Sequence, residues 1–286
     1  MQSEFYDNIN EFVDLAFQFL LKNESENILV FSILNALKIN QNRYGDLKPT
    51  LILVKQNDDI KLISLRTPPY NQLISFTEDL NSIDVLVESL LKSEEDLPGI
   101  LGFKDGAERF IKLYCKKKSL FPELIRNERA YRLIRVAEET IGDKPFIIGN
   151  KSYQTLILEW AKEMILEAGL MTEADQMDRT LNQIKEDITN EKIFLLLDKN
   201  EPVSMAIKAG KTPNGNLINF VYTPPHYRRR GYATECVAKL SQRLVEEGNK
   251  FCFLFTDLAN PTSNSIYQKI GYRPIIDMDG YKFLKQ

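Results

Sequence analysis

Along the second half of the chain the apolar positions switch between a period of two and a period of 3.6, and each switch marks a new element. The run 217–222 reads as a strand that breaks at Pro224-Pro225. After it, Ala233, Val237, Leu240 and Leu244 recur at helical spacing and predict a helix ending near Gly248. Upstream, Leu156, Ile157, Trp160, Ala161, Met164, Ile165 and Ala168 form one helical face, stopped by Gly169. A second helix is predicted to begin at Thr172 with Asp175 and to carry the stripe Met177, Leu181, Ile184 and Ile188. Residues 193–197 read as a strand, and the turn 198–201 leads into another that runs through Ile207. Asn214-Gly215 turns the chain into 217–222. Residues 131–136 and 251–256 predict further strands, and a strand pair around Asp279-Gly280 closes the chain. The order is strand, two helices, three strands, helix, strand, helix, strands, which is a mixed α/β (α+β) arrangement.

The first half has weaker punctuation. Phe12, Leu15, Ala16, Phe19 and Leu20 predict an amphipathic helix, and 51–54 with 62–65 flank Gln56-Asn-Asp-Asp59 as a hairpin. That hairpin is followed by Thr67-Pro-Pro-Tyr70, an echo of Thr223-Pro-Pro-His-Tyr227 in the second half. The charged stretch 121–129 reads as the joint, so the expected division is residues 1–126 and 127–286.

Composition narrows the class only a little. A chain of 286 residues, 43% hydrophobic and 27% charged, has the balance of a soluble globular protein. The net charge of −3 gives no general attraction to nucleic acid or anionic membranes. No apolar run approaches the roughly 20 residues that span a bilayer, and the first residues show neither a basic region nor an apolar one of a leader. Three widely spaced cysteines (Cys115, Cys236 and Cys252) argue against a disulfide framework, and one histidine argues against a multi-histidine metal site. The expectation is a cytoplasmic protein that uses no metal.

The chemistry concentrates at 221–235. A strand end, three arginines (Arg228, Arg229, Arg230), Gly231 and a helix start form a layout that offers backbone N–H groups and positive charge to an anion. Neither the P-loop pattern nor Gly-x-Gly-x-x-Gly is present. Arg228-x-x-Gly231-x-Ala233 resembles the pyrophosphate loop of the GNAT N-acetyltransferases, whose pattern is Gln or Arg, two residues, Gly, one residue, then Gly or Ala. A second segment, from Asn260-Pro261 through Asn264 and Tyr267 to Gly271-Tyr272, resembles that family's last functional helix. Here Asn260 suits a cap, Pro261 a first helical position and Gly271 a left-handed stop. Over 127–286 the element order also resembles the GNAT fold: a mixed, mostly antiparallel central sheet flanked by helices. On this reading the first half is an α/β domain that shapes the acceptor side, either a helical cap or a degenerate duplicate without its own cofactor site. A diverged first half before an intact second one is similar to the glycine N-acyltransferase-like branch.

The resemblance implies acetyl-CoA as co-substrate and direct attack by a primary amine on its thioester in a ternary complex. It implies that the backbone of Arg229, Arg230, Gly231, Tyr232, Ala233 and Thr234 holds the pyrophosphate, with Arg228, Arg229 and Arg230 adding positive charge. An N–H near Val221 or Tyr222 would polarise the carbonyl, Asn260 and Asn264 would bond the pantetheine amides, and Tyr267 would give a proton to the leaving sulfur. Asp257, Glu159 and a water chain remain alternative routes for the proton of the amine. The implied partners are a small-molecule or protein amine and, in a homodimer, a second copy of the chain. Against these stand plainer readings: packing for Tyr267, a surface place for His226, and core places for Cys236, Cys252 and Trp160. A CoA-binding sensor without turnover is the alternative function. A nucleic-acid module built on Arg228, Arg229 and Arg230 is opposed by Glu235, Glu246 and Glu247 close by.

Overall fold

The computed structural model describes residues 1–93, 96–169 and 174–285, with the side chains of 174–176 excluded. Its first ten elements are β1 (Gln2–Tyr6), α1 (Ile9–Lys22), α2 (Ile28–Ile39), β2 (Thr50–Gln56), β3 (Asp59–Arg66), β4 (Gln72–Ile74), α3 (Asn81–Lys92), β5 (Gly99–Phe103), α4 (Lys104–Lys118) and β6 (Leu120–Leu133). The same order then recurs as β7 (Phe146–Ile148), α5 (Gln154–Glu167), α6 (Ala174–Thr189), β8 (Ile193–Asp198), β9 (Glu201–Lys211), β10 (Gly215–Tyr222), α7 (Tyr232–Glu246), β11 (Phe251–Asp257), α8 (Pro261–Ile270) and β12 (Arg273–Lys285).

Local chemistry accounts for the boundaries. Asn8 caps α1 by accepting from the N–H groups of Asn10 and Glu11, and Ile9, Phe12, Ala16 and Leu20 then bury one stripe. Asn57, with φ of 56°, makes the tight link between β2 and β3. Asn260 caps α8 through Ser263 N–H at 3.0 Å, and Gly271 ends it at φ 113°. A side chain on Gly271 would come within 2.8 Å of the Arg135 carbonyl, so this stop admits glycine alone. The cap expected at Thr172, and the side chain of Asp175, lie outside the described residues.

All the strands form one sheet in the order β1-β2-β3-β4-β5-β12-β6-β11-β10-β9-β8-β7. Neighbours are antiparallel except β4 with β5 and β10 with β11, the two pairs joined by a crossover helix, α3 and α7. The last strand of each half crosses into the other. β6 pairs with β11, β12 pairs with β5, and the two pair with each other from Arg273↔Arg132 to Lys285↔Leu120. In the first half Ile52, Val54, Leu62, Ile74 and Ile100 face α3 and α4, while Leu51, Leu53, Ile63 and Leu65 face α1 and α2. In the second half Ile218 and Leu254 face α7 and α8, whereas Leu195, Met205 and Tyr222 face α5 and α6. The start of α2 also reaches across, with Ile28 packed on Leu217, Phe253 and Ala130.

Three expectations change. The charged joint 121–129 is strand: its polar residues sit on a ladder bounded by β12, so charge alone did not exclude pairing. Asp279-Gly280 is no turn but lies inside β12, where a register shift at Gly280/Tyr281 takes up the irregularity. Thr67-Pro-Pro-Tyr70 lies between β3 and β4, while its echo follows β10, so the two are one strand out of step. The repeat resides in element order rather than in that tetrapeptide. β1 and β7 carried too few alternations to be read. Among the described residues, no helix is long and apolar enough to cross a membrane.

Candidate active site

Two parallel strands that stop pairing part-way create the site. β10 and β11 pair only over Gly215↔Phe251, Asn216↔Cys252 and Leu217↔Phe253. From there β10 continues against β9 and β11 against β6, so a V opens in the middle of the sheet. On the β10 arm, Asn219 faces Ile207 and Tyr222 faces Met205, which leaves Phe220 and Val221 together opposite Ala206. Phe220 takes φ 47° in this bulge. Val221 and Tyr222, the expected carbonyl-polarising positions, therefore lie in and just after a break in regular strand geometry beside the V.

The arginine loop lies at the end of that arm. Pro225–Tyr227 makes one 3-10 turn, Arg229 stands at φ 61°, and Gly231 at φ 81° is the residue before α7. At Gly231-Tyr232 a left-handed residue is followed by a helical one, and such a pair turns successive N–H groups toward one point, a nest suited to an anion. Gly231 brings no side-chain cap, so Tyr232, Ala233 and Thr234 open α7 with their amides facing the loop. An added Cβ on Gly231 would meet nothing within 4 Å, so the space before the helix is open. Gly231→Ala is expected to cost only the left-handed penalty of about 1–2 kcal/mol while weakening CoA binding at least tenfold. Calorimetric titration with CoA checks this.

The three arginines divide the work. Arg228 donates from both terminal nitrogens to the Glu167 carboxylate at 2.8 and 2.6 Å, and from Nε to the Thr223 carbonyl at 2.8 Å. It also stacks over Tyr222, with the guanidinium carbon 5.7 Å from the ring centre. Arg228 thus straps the loop to α5, and Glu167 is held below the usual carboxylate range by this guanidinium. Arg229 and Arg230 are exposed and make no ion pair among the described residues. Tyr232 donates to Asp198 at 2.5 Å, which fixes its ring on the scaffold and raises its hydroxyl pKa.

The other arm brings α8. Tyr267 is 8% exposed in the core between α7 and α8, its ring edge-on to Tyr272. Its hydroxyl makes no hydrogen bond among the described residues, and burial pushes its pKa up to about 12. It is therefore a phenol kept protonated, able to donate and not to act as a base near neutral pH. The two asparagines are already engaged. Asn260 spends its side-chain oxygen on the helix cap. Asn264 accepts from Tyr131 at 2.8 Å and donates to the carbonyls of Asp257 and Asn260 at 2.9 and 2.7 Å. In this state both asparagines fix the start of α8 at the end of β11.

On the opposite face of the sheet, Tyr222 packs against Trp160 and donates to Glu163 at 2.9 Å; burial raises its pKa to about 12. Glu163 and Glu167 were not singled out from sequence. They follow Glu159 at intervals of four along α5, but their partners lie on another element some sixty residues away. Glu159 and Asp257 are exposed, the latter accepting from Ala259 N–H at 2.7 Å. His226 is exposed. Cys236 and Cys252 are fully buried and pushed up to about 12 by that burial, which suits core residues rather than nucleophiles. Among the described residues no group of three or more His, Cys, Asp or Glu could hold a metal.

The corresponding place in the first half, between β4, β5 and α3, is built otherwise. Phe76 and Phe103 close ring to ring at 5.3 Å, and Ile74 presses against Gly102. The loop into α3 carries Glu78 and Asp79, with no glycine and no arginine. A phosphate would meet like charge there.

The sequence model of the FR47-like protein family matches residues 196–279, from the end of β8 into β12, which spans the V, the loop and α8. No curated protein matches the chain in sequence. Among solved structures, an acetyltransferase of the GNAT family from Colwellia psychrerythraea is similar at TM-score 0.61 and 11% identity, covering 99% of this chain and 100% of that one. A Drosophila protein is similar at TM-score 0.67 and 12% identity, covering 99% and 98%. A GCN5-related N-acetyltransferase from Sphaerobacter thermophilus is similar at 0.60 and 10%, covering 99% and 96%. The chain has the GNAT fold, and the coverage extends over both halves.

Proposed function

We propose that this chain is an acetyl-CoA-dependent N-acetyltransferase that moves the acetyl group to a primary amine by direct attack in a ternary complex. The observation that carries the reading is the V between β10 and β11 leading into a left-handed glycine at the start of α7. That one feature supplies an anion nest and a slot for an extended thioester arm in line. The backbone of 229–234 holds the pyrophosphate, with the side chains of Arg229 and Arg230 adjacent. Arg228 keeps the loop in shape through Glu167. The bulged backbone at Val221 and Tyr222 donates to the thioester carbonyl as charge grows on its oxygen, a preorganised interaction of the kind that usually contributes most to such reactions.

The proton account is simple. The amine attacks as the free base, forms the C–N bond and loses one proton; the C–S bond breaks and the sulfur gains one. Tyr267, protonated through the neutral range, donates to that sulfur and is reprotonated from solvent. The amine proton leaves on the α5 face through water to an exposed carboxylate. Asn260 and Asn264 position α8, and with it Tyr267; the Asn260 amide nitrogen, which makes no hydrogen bond among the described residues, donates to a pantetheine carbonyl, whereas Asn264 does so only by exchanging a present bond. A two-half arrangement does not single out the glycine N-acyltransferase-like branch, since the Colwellia fold shares it over 99% of this chain. Release of free thiol from acetyl-CoA, followed photometrically across a set of primary amines, tests the reading. Amine-dependent release is expected, and binding of CoA with no release from any amine contradicts it.

A further inference from the structure

Asn219 has no role in the account so far, and its side chain is the polar group in the V that the fold leaves unanswered. It is the second residue beyond Leu217, where β10 and β11 cease to pair, and the last before the Phe220–Val221 bulge. Its cross-strand partner is Ile207, which packs in the core beneath α5 and α6, so Asn219 projects from that same face. On one side of it Leu217 and Phe253 meet Ile28 of α2; on the other, Phe220 and Tyr222 meet α5. Its side-chain oxygen is sealed from solvent and has no hydrogen-bond partner among the described residues, while the residue as a whole is partly exposed. Buried polar atoms in folded proteins are nearly always answered, and an exception asks for a partner the free protein lacks.

The missing partner must be a hydrogen-bond donor, because an amide oxygen only accepts. Its position tells which donor. The arginine loop opens α7, and Tyr267 lies in the α7/α8 core, so both belong to the other face of the sheet. The CoA arm therefore enters from the α7 side, and the second substrate reaches the carbonyl from the side of α2 and α5. The geometry points to Asn219 as the residue that receives an N–H of the acceptor amine on this face and orients its lone pair toward the thioester. Phe220, the next residue, is partly exposed beside it, so the acceptor class is a primary amine carried on an apolar stem.

This inference rests on the acetyltransfer reading, and the test separates the two. Thiol release is measured with spermidine, tyramine, histamine and 2-phenylethylamine as acceptors, for the unaltered chain, Asn219→Leu and Asn219→Asp. For the best acceptor, Asn219→Leu is expected to raise KM at least tenfold with the CoA dissociation constant within twofold. Its melting temperature is expected to be no lower, since an apolar group of similar size replaces an unanswered oxygen. Asn219→Asp keeps an acceptor and is expected to hold KM within about threefold. Asn219→Ala carries the same comparison if the leucine variant does not fold. An unchanged amine KM in the leucine or alanine variant overturns the assignment. So does a tenfold loss of CoA affinity with amine KM constant, which would place Asn219 on the cofactor arm. If the unaltered chain releases no thiol with any of the amines, the acetyltransfer reading falls and takes this inference with it. Turnover in which Asn219→Leu behaves like the unaltered chain removes the inference alone.

Discussion

Tyr267→Phe is expected to lower kcat by about 10²- to 10⁴-fold, the usual range for loss of a positioned general acid, with the protein as stable as before. The two halves of this expectation come from the same geometry. The Tyr267 ring is packed in the core of α7 and α8, and phenylalanine fills the same volume. Its hydroxyl makes no hydrogen bond among the described residues, so removing it leaves no partner stranded and should move stability by less than about 1 kcal/mol. Burial holds the phenol at a pKa of about 12. The pH–rate profile of the unaltered chain should therefore show no descending limb from Tyr267 through the neutral and mildly alkaline range. The sign for stability follows as well. A phenol raised from about 10 to about 12 favours the folded state below pH 10, and that contribution is lost as pH climbs toward 12. Thiol-release kinetics and a melting curve on one preparation check both halves. Equal kcat in the variant would make Tyr267 a packing residue.

A fragment of residues 127–286 is expected not to fold, although it contains every candidate site residue. Cutting at 127 removes the part of β6 that pairs with the end of β12, from Leu120↔Lys285 to Arg126↔Gly280. It also removes β5, which holds the opposite edge of β12 from Gly99↔Lys282 to Phe103↔Met278. The end of β12 would then have no neighbour on either side, with Met278 and Phe283 stripped of the α3/α4 core they fill. Leu217, Phe253 and Ala130 would lose Ile28. Each loss exposes apolar surface that contributes about 25 cal/mol per Å² when buried, and an unpaired apolar strand invites aggregation. The full chain should melt in one cooperative step and the fragment in none, by calorimetry. A cooperative transition in the fragment would show that the strand exchange adds little.

What could be read from sequence was local. The helix stripes, the cap at Asn260, the stop at Gly271 and the loop around Gly231 are set by residues within a few positions of each other, and the structure places the caps, the loop and most of the stripes as the pattern indicates, while Leu15 and Ala168, read into stripes, are exposed. The exchange of β6 and β12 was not legible, because a strand's partner leaves no mark in its own pattern. Leu120–Leu133 alternates weakly, and its polar residues gave it the look of a linker. At the site, the positions of Gly231 and Tyr267 follow from motif spacing. Glu167 under Arg228, Glu163 on Tyr222 and Tyr131 on Asn264 join residues far apart in the chain, and only the fold brings them together. Asn219 gave no signal either, since what marks it is a bond it does not make.

The central claim is that the loop before α7 holds the pyrophosphate of CoA. Thermal unfolding with acetyl-CoA, CoA, ATP and NAD, each in large excess, tests it most directly when Gly231→Ala is run in parallel. A ligand at about 100 times its Kd stabilises by about 2.7 kcal/mol, or roughly 5 °C or more for a chain of this size. The account predicts that shift with acetyl-CoA and CoA, none with ATP or NAD, and its fall to about half or less in Gly231→Ala. No shift with CoA, or an equal one in the Gly231 variant, would contradict it.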